Sequence, residues 1–232
     1  MKVLIKNEFR LCFRTIGIVL FLALFGGIPM LLLSMAEVNS INDTSVINNL
    51  LRSSLIFLPA MLIPLIGTAV FQTSLNEERK NRILNILLAD GVKPNTIWVS
   101  KMAASITIAY GISLCSLIIS ILFIRVSHGI LINLDLESIL MLLFVVPVIS
   151  ITFFSIIGTI MWYSKQGMFF AGLLPLVSYM GILYLNVYLI ENNKSINAAM
   201  ILLLALLSLA VFLVCMIIAK KVKKEHIVNM SM

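Results

Sequence analysis

SLNEERKNRILNILLADGVKPNTIWVSK, residues 74–101, places six ionisable side chains between Glu77 and Asp90. Strongly apolar sequence flanks it on both sides, so the stretch reads as a short structured element outside a lipid bilayer. Ser74 followed three residues on by Glu77 is a capping-box pattern, in which hydroxyl and carboxylate reciprocally satisfy the backbone N–H groups of a helix start. Ile83, Leu84, Leu87 and Leu88 recur at helical spacing, after turns filled by Glu78, Arg79, Lys80 and Arg82. Asp90-Gly91 offers a stop, because glycine enters the left-handed region cheaply, and Pro94 bars simple continuation. The stretch predicts a short amphipathic helix with a charged front end.

Composition defines its surroundings. Of 232 residues, 61% are hydrophobic and 12% charged, with a mean hydropathy of +1.10, which is too little polar surface for a soluble globule of this size. The chain is predicted to be an all-α integral membrane protein, a single domain over residues 1–232. The net charge of +7 does not mark a nucleic-acid binder, because the cations are parcelled out between apolar runs and not gathered in a stripe with interleaved aromatics. Cys115 and Cys215 fall inside apolar runs and Cys12 in a basic segment, which shows neither a disulfide framework nor metal-ligand spacing.

Met1 to Thr15 alternates apolar side chains with Lys2, Lys6, Arg10 and Arg14, the pattern of a helix lying in the headgroup layer or of a basic flank to the first span. Six spans are expected: Ile16 to Met35, Leu55 to Leu75, Ile97 to Ile124, Ser138 to Trp162, Met168 to Ile190 and Ile196 to Ala219. The third, at ~1.5 Å per residue, exceeds a ~30 Å hydrocarbon core and is expected to tilt or protrude. Lys and Arg are distributed unequally between the two sides. Fourteen fall in the N-terminus, the 74–101 stretch, Lys165 and the tail from Lys220, against three at Arg52, Arg125 and Lys194. That bias predicts both termini and the 74–101 stretch on the cytoplasmic side of a cell membrane.

None of the six spans carries an ionisable residue near its centre, which disfavours proton- or ion-coupled transport and a charged channel filter. Phosphate-loop and zinc-protease motifs are absent, and His128 and His226 stand alone, so no catalytic residue is proposed, and neither a cofactor nor a metal. Ala60, Pro64, Thr68 and Gln72 recur every four residues in the second span, and Ser105, Ala109, Ser113, Ser116 and Ser120 nearly so in the third. Small and hydroxyl residues at that spacing serve close helix packing in lipid. The alternative is a substrate path carrying Thr68, Gln72 and Ser113.

Glu77-Glu78-Arg79-Lys80, then Ile83-Leu84-Asn85-Ile86-Leu87-Leu88-Ala89, then Val92, Trp98 and Lys101 resemble the coupling helix of the type-2 ABC permease family. That element is cytoplasmic and lies between spans two and three of six-span exporter subunits. The family often has glycine where Asn81 stands, a carboxylate near Asn85 and a proline near Gly91. The resemblance implies a dimer of this chain with itself or a sibling, seated on separate cytosolic ABC ATPase subunits that bind ATP and Mg. It also implies that Ile83, Leu84 and Leu87 anchor the helix in an ATPase groove while Glu77, Glu78, Arg79 and Arg82 fix its register. Without deep charges or a large outer domain, amphiphilic cargo is favoured: membrane-active peptides or toxins, or lipophilic drugs. The rival expectation is a non-transporting scaffold or immunity protein that binds another cytosolic partner. Richness in Lys, Ile and Asn points to a bacterial source with an AT-rich genome.

Overall fold

In the computed structural model, which describes residues 17, 44–81, 83–129, 135–163, 167–191 and 198–220, Thr44–Lys80 is one continuous helix, α1. Pro59 and Pro64 lie inside it, and each removes one backbone donor, which is tolerable where neighbouring helices cover the freed carbonyl. Ser74 therefore sits within α1 and not at a helix start, and the capping box expected of Ser74 and Glu77 does not form. Leu75 is completely buried and Ser74 is 4% exposed. Tertiary burial of this turn overrides its local capping preference and carries the helix on to Lys80.

The elements that follow are α2 (Ile83–Ala89), α3 (Pro94–His128), α4 (Leu136–Leu140), a π turn (Met141–Val145), α5 (Val146–Tyr163), α6 (Gly167–Glu191) and α7 (Ala198–Lys220). No strand occurs among the described residues. Among the described residues, three stretches are long and apolar enough to cross a membrane: Ser54–Glu78, Pro94–Val126 and Leu136–Met161. Shorter apolar stretches, Phe169–Ile182 and Ala205–Ile218, run through α6 and α7. The chain thus has the helical, apolar character of a membrane protein. The expected interfacial helix and first span lie outside the described residues, apart from the helical Gly17.

The centre of the bundle is α1, against which α3, α5 and α6 pack, while α7 packs on α5. Leu62, Ile63, Ile66 and Phe71 of α1 are fully buried, whereas Leu206, Val214 and Ile217 of α7 and Val177 and Met180 of α6 face outward. In lipid, apolar area gives no net drive for helices to associate, so shape has to hold them. Gly67 shows how: the Phe154 ring of α5 lies so close to its backbone that a methyl group there would overlap the ring.

The π turn follows from Pro147. Within it, the Val146 N–H donates to the Met141 carbonyl, five residues back. The Leu142 carbonyl would then look to residue 147, and proline has no N–H to offer. Tyr110 of α3 fills the gap, its hydroxyl donating to the Leu142 carbonyl at 3.0 Å. Far along the bundle from α2, Arg52 of α1 pairs with Asp135 at 2.6 Å. Asp135 also caps α4, accepting from the Ser138 N–H at 3.0 Å and from the Ser138 hydroxyl.

Two outcomes are expected. Tyr110→Phe keeps the packing but orphans the Leu142 carbonyl, and should lower thermal stability in detergent by about 1–3 kcal/mol. The Ser138 hydroxyl does most to hold the Asp135 carboxyl below its ordinary value; burial opposes it, and the Ser138 N–H and the Arg52 charge add to the lowering. A carboxyl depressed by folding stabilises above its unfolded pKa, and that contribution is lost as pH falls through the depressed folded value. Protection against hydrogen exchange around residues 135–140, taken relative to the intrinsic rate at each pH, should therefore fall on acidification below pH ~4, and Asp135→Asn should flatten that dependence.

Candidate functional site

A seven-residue helix cannot hold itself in water, so the shape of α2 comes from its ends and from what it covers. At its C-terminus Gly91 adopts φ 84°. The Gly91 N–H donates to the Leu88 carbonyl at 3.3 Å and the Val92 N–H to the Leu87 carbonyl at 3.0 Å. This is the complete Schellman pair, and Val92 and Leu87 both pack against the main core, as its apolar contact requires. Lys93 is extended (φ −70°, ψ 136°) ahead of Pro94, which opens α3, as the residue before a proline is bound to be. The stop expected at Asp90-Gly91 is present, and Pro94, expected only to bar continuation, also opens the next helix.

The faces of α2 divide sharply. Leu84 (1% exposed) and Leu88 are buried in the chain's own core, and Leu87 is half-buried against it. Ile83 and Ile86 face outward, Ile86 at 58% exposure, beside exposed Asn81, Ala89 and Asp90. Leu84, expected to anchor a partner, is thus committed internally. Ile86 was not among the anchors read from sequence, though it falls opposite Leu84 and Leu88 by helical spacing.

Glu78 too turns inward. It is 4% exposed, and its Oε2 lies 2.9 Å from the Nζ of Lys101, whose side chain is wholly buried. Lys101 Nζ also donates to Ser74 Oγ at 2.8 Å. An ion pair and a hydrogen bond, out of contact with solvent, therefore join the end of α1 to the start of α3 directly beside α2. Glu77 is half-buried. Arg82 and the side chain of Arg79 lie outside the described residues. One turn before Lys101, Trp98 is buried, and its indole lies so close to the Gly158 backbone of α5 that no Cβ would fit there. Its Nε1 has no hydrogen-bond partner among the described residues.

The three residues of the possible substrate path are spread over the packing between helices. Thr68 is 3% exposed on α1, Gln72 lies one turn further along against Gly172 of α6, and the Ser113 hydroxyl is turned back onto the Ala109 carbonyl of α3 at 2.6 Å. Among the described residues, no group of three or more His, Cys, Asp or Glu is placed to hold a metal ion.

Comparison with protein-family models, curated proteins and solved structures finds no match.

A desolvated ion pair punishes the loss of one member more than the loss of both. Lys101→Met alone, or Glu78→Met alone, should destabilise the detergent-solubilised protein by about 3–5 kcal/mol, and the double replacement by much less. Thermal unfolding of the three variants, followed by retention on size exclusion, checks the non-additivity.

Proposed function

We propose that this chain is the membrane-spanning permease subunit of an ATP-driven exporter, with six spans and both termini in the cytoplasm of a bacterial cell membrane. In this reading α2 is the coupling helix. It lies in a groove of a separate ATPase subunit, which binds ATP and Mg, and two permease copies or siblings complete the transporter. The observation that carries the proposal is the outward face of α2. Ile83 and Ile86 are displayed on a short helix mounted between two long apolar helices, on the side where the surplus of Lys and Arg falls. Two exposed isoleucines amid charge form an apolar anchor with a polar rim, the composition of a protein docking site.

No bond is broken in this chain. Closure of the ATPases displaces α2, and α1 and α3 re-aim as rigid bodies. The cargo is amphiphilic, a membrane-active peptide or toxin or a lipophilic drug, because the long apolar helices place no charge near their centres.

Purification of the intact chain in mild detergent should bring down a soluble ATPase in stoichiometric amount. Ile83→Asp with Ile86→Asp should abolish its recovery while leaving insertion and solubility of the permease unchanged. Persistence of the ATPase on that variant, or its absence from the parent preparation, overturns the assignment, and the latter outcome favours a scaffold that serves another cytosolic partner.

A further inference from the structure

Three contacts close a triangle among the long helices. The Glu78–Lys101 pair joins α1 to α3. Trp98 against Gly158 joins α3 to α5, and Phe154 against Gly67 joins α5 to α1. Two of these contacts are fits of an aromatic ring into a glycine notch, and only the ion pair is directional. The buried surface of α3 near the pair alternates small residues, Ser100, Ala104 and Ser105, with Ile97 and Met102, and Leu117 and Ile124 pack with Leu51 and Leu55 of α1 towards the other end. Small residues let backbones approach but do not choose among registers, since the same surface recurs each turn.

We propose that Glu78 and Lys101 are the positioning pair of the coupling element: they lock the ends of α1 and α3 in one register and so hold α2 as part of a single rigid piece. This rests on α2 being the docking helix, and it gives Glu78 a role different from contact with the ATPase. Glu78 acts through Lys101. The link from α1 to α2 is short, with the Asn81 N–H donating to the Glu77 carbonyl at 3.0 Å, and the Schellman turn ties α2 to α3. A displacement of Ile83 and Ile86 is therefore passed on in full only while α1 and α3 cannot slide past each other.

The test separates positioning from simple stability. In a chain carrying Cys12→Ser, Cys115→Ala and Cys215→Ala, spin labels are attached at Ile86→Cys on α2 and Phe169→Cys at the exposed start of α6. Pulsed dipolar spectroscopy then reads the distribution of distances between them. The parent should give one narrow distribution. Glu78→Met with Lys101→Met removes both charges, and so folds, but should broaden the distribution by at least about twofold. The charge swap Glu78→Lys with Lys101→Glu should restore the narrow form, because the Ser74 hydroxyl can donate to a carboxylate as readily as it accepts from an ammonium. In the complex, the double-Met variant should lose more than about tenfold of ATP-driven export while basal ATP hydrolysis stays within about twofold. A double-Met distribution as narrow as the parent's, or export retained in that variant, overturns the proposal. Should no ATPase bind at all, the docking reading fails, while the distance measurement still decides whether the pair positions α2.

Discussion

The Lys101 ammonium, with no exposed surface on its side chain, is made tolerable by Glu78 and Ser74, which stand within 2.9 and 2.8 Å of it. Taking such a charge out of water costs several kcal/mol even after relaxation, and a displaced partner would leave that cost uncompensated. The pair therefore favours one position of α3 along α1, and the remaining contacts agree with that register. Trp98, one turn earlier on α3, meets Gly158, and Phe154, one turn earlier on α5, meets Gly67. From Arg52 to Glu78, α1 rises about 39 Å at ~1.5 Å per residue, close to the ~40–45 Å of a bilayer with its headgroups. The Arg52–Asp135 pair thus pins the other end of the same helix. Charge fixes the two ends, and shape fills the interval between them.

What could be read in advance was whatever depended on neighbours in sequence. Asp90-Gly91 stops one helix as expected because positive φ is a property of a single residue, and Pro94, read only as a bar to continuation, opens the next. Long apolar runs gave the long helices for the same reason. The capping box at Ser74 was misread because Ser74 and Glu77 have the right local spacing in a segment whose fate is decided by the burial of Leu75. Lys101 was visible as a charge at the mouth of an apolar run, yet its partner could not be named, since the choice among Glu77, Glu78 and lipid depends on the register of two helices. The inward turn of Leu84 was hidden likewise: Leu84 and Leu87 share a leucine-rich face with Leu88, and only the core decides which face is covered. The Tyr110 bond was further from reach, because it answers a carbonyl that Pro147 frees on another helix.

An ion pair at this position is not explained by stability. Well-packed apolar side chains of similar volume would hold the ends of α1 and α3 as firmly or more so. They would also be less strict about register: where the face carries Ser100, Ala104 and Ser105, a shift of one turn, ~5.4 Å, brings similar small surfaces back into contact. A carboxylate and an ammonium tolerate such a shift poorly, because a displacement of one turn breaks their pairing while both stay buried. The charged pair converts a contact that could slide into one with a single position, at the place where α2 is mounted. On the proposed reading, in which α2 is the docking helix, force arriving on Ile83 and Ile86 requires that property of the helix's base, since any slip between α1 and α3 would absorb the movement before it reached the long helices.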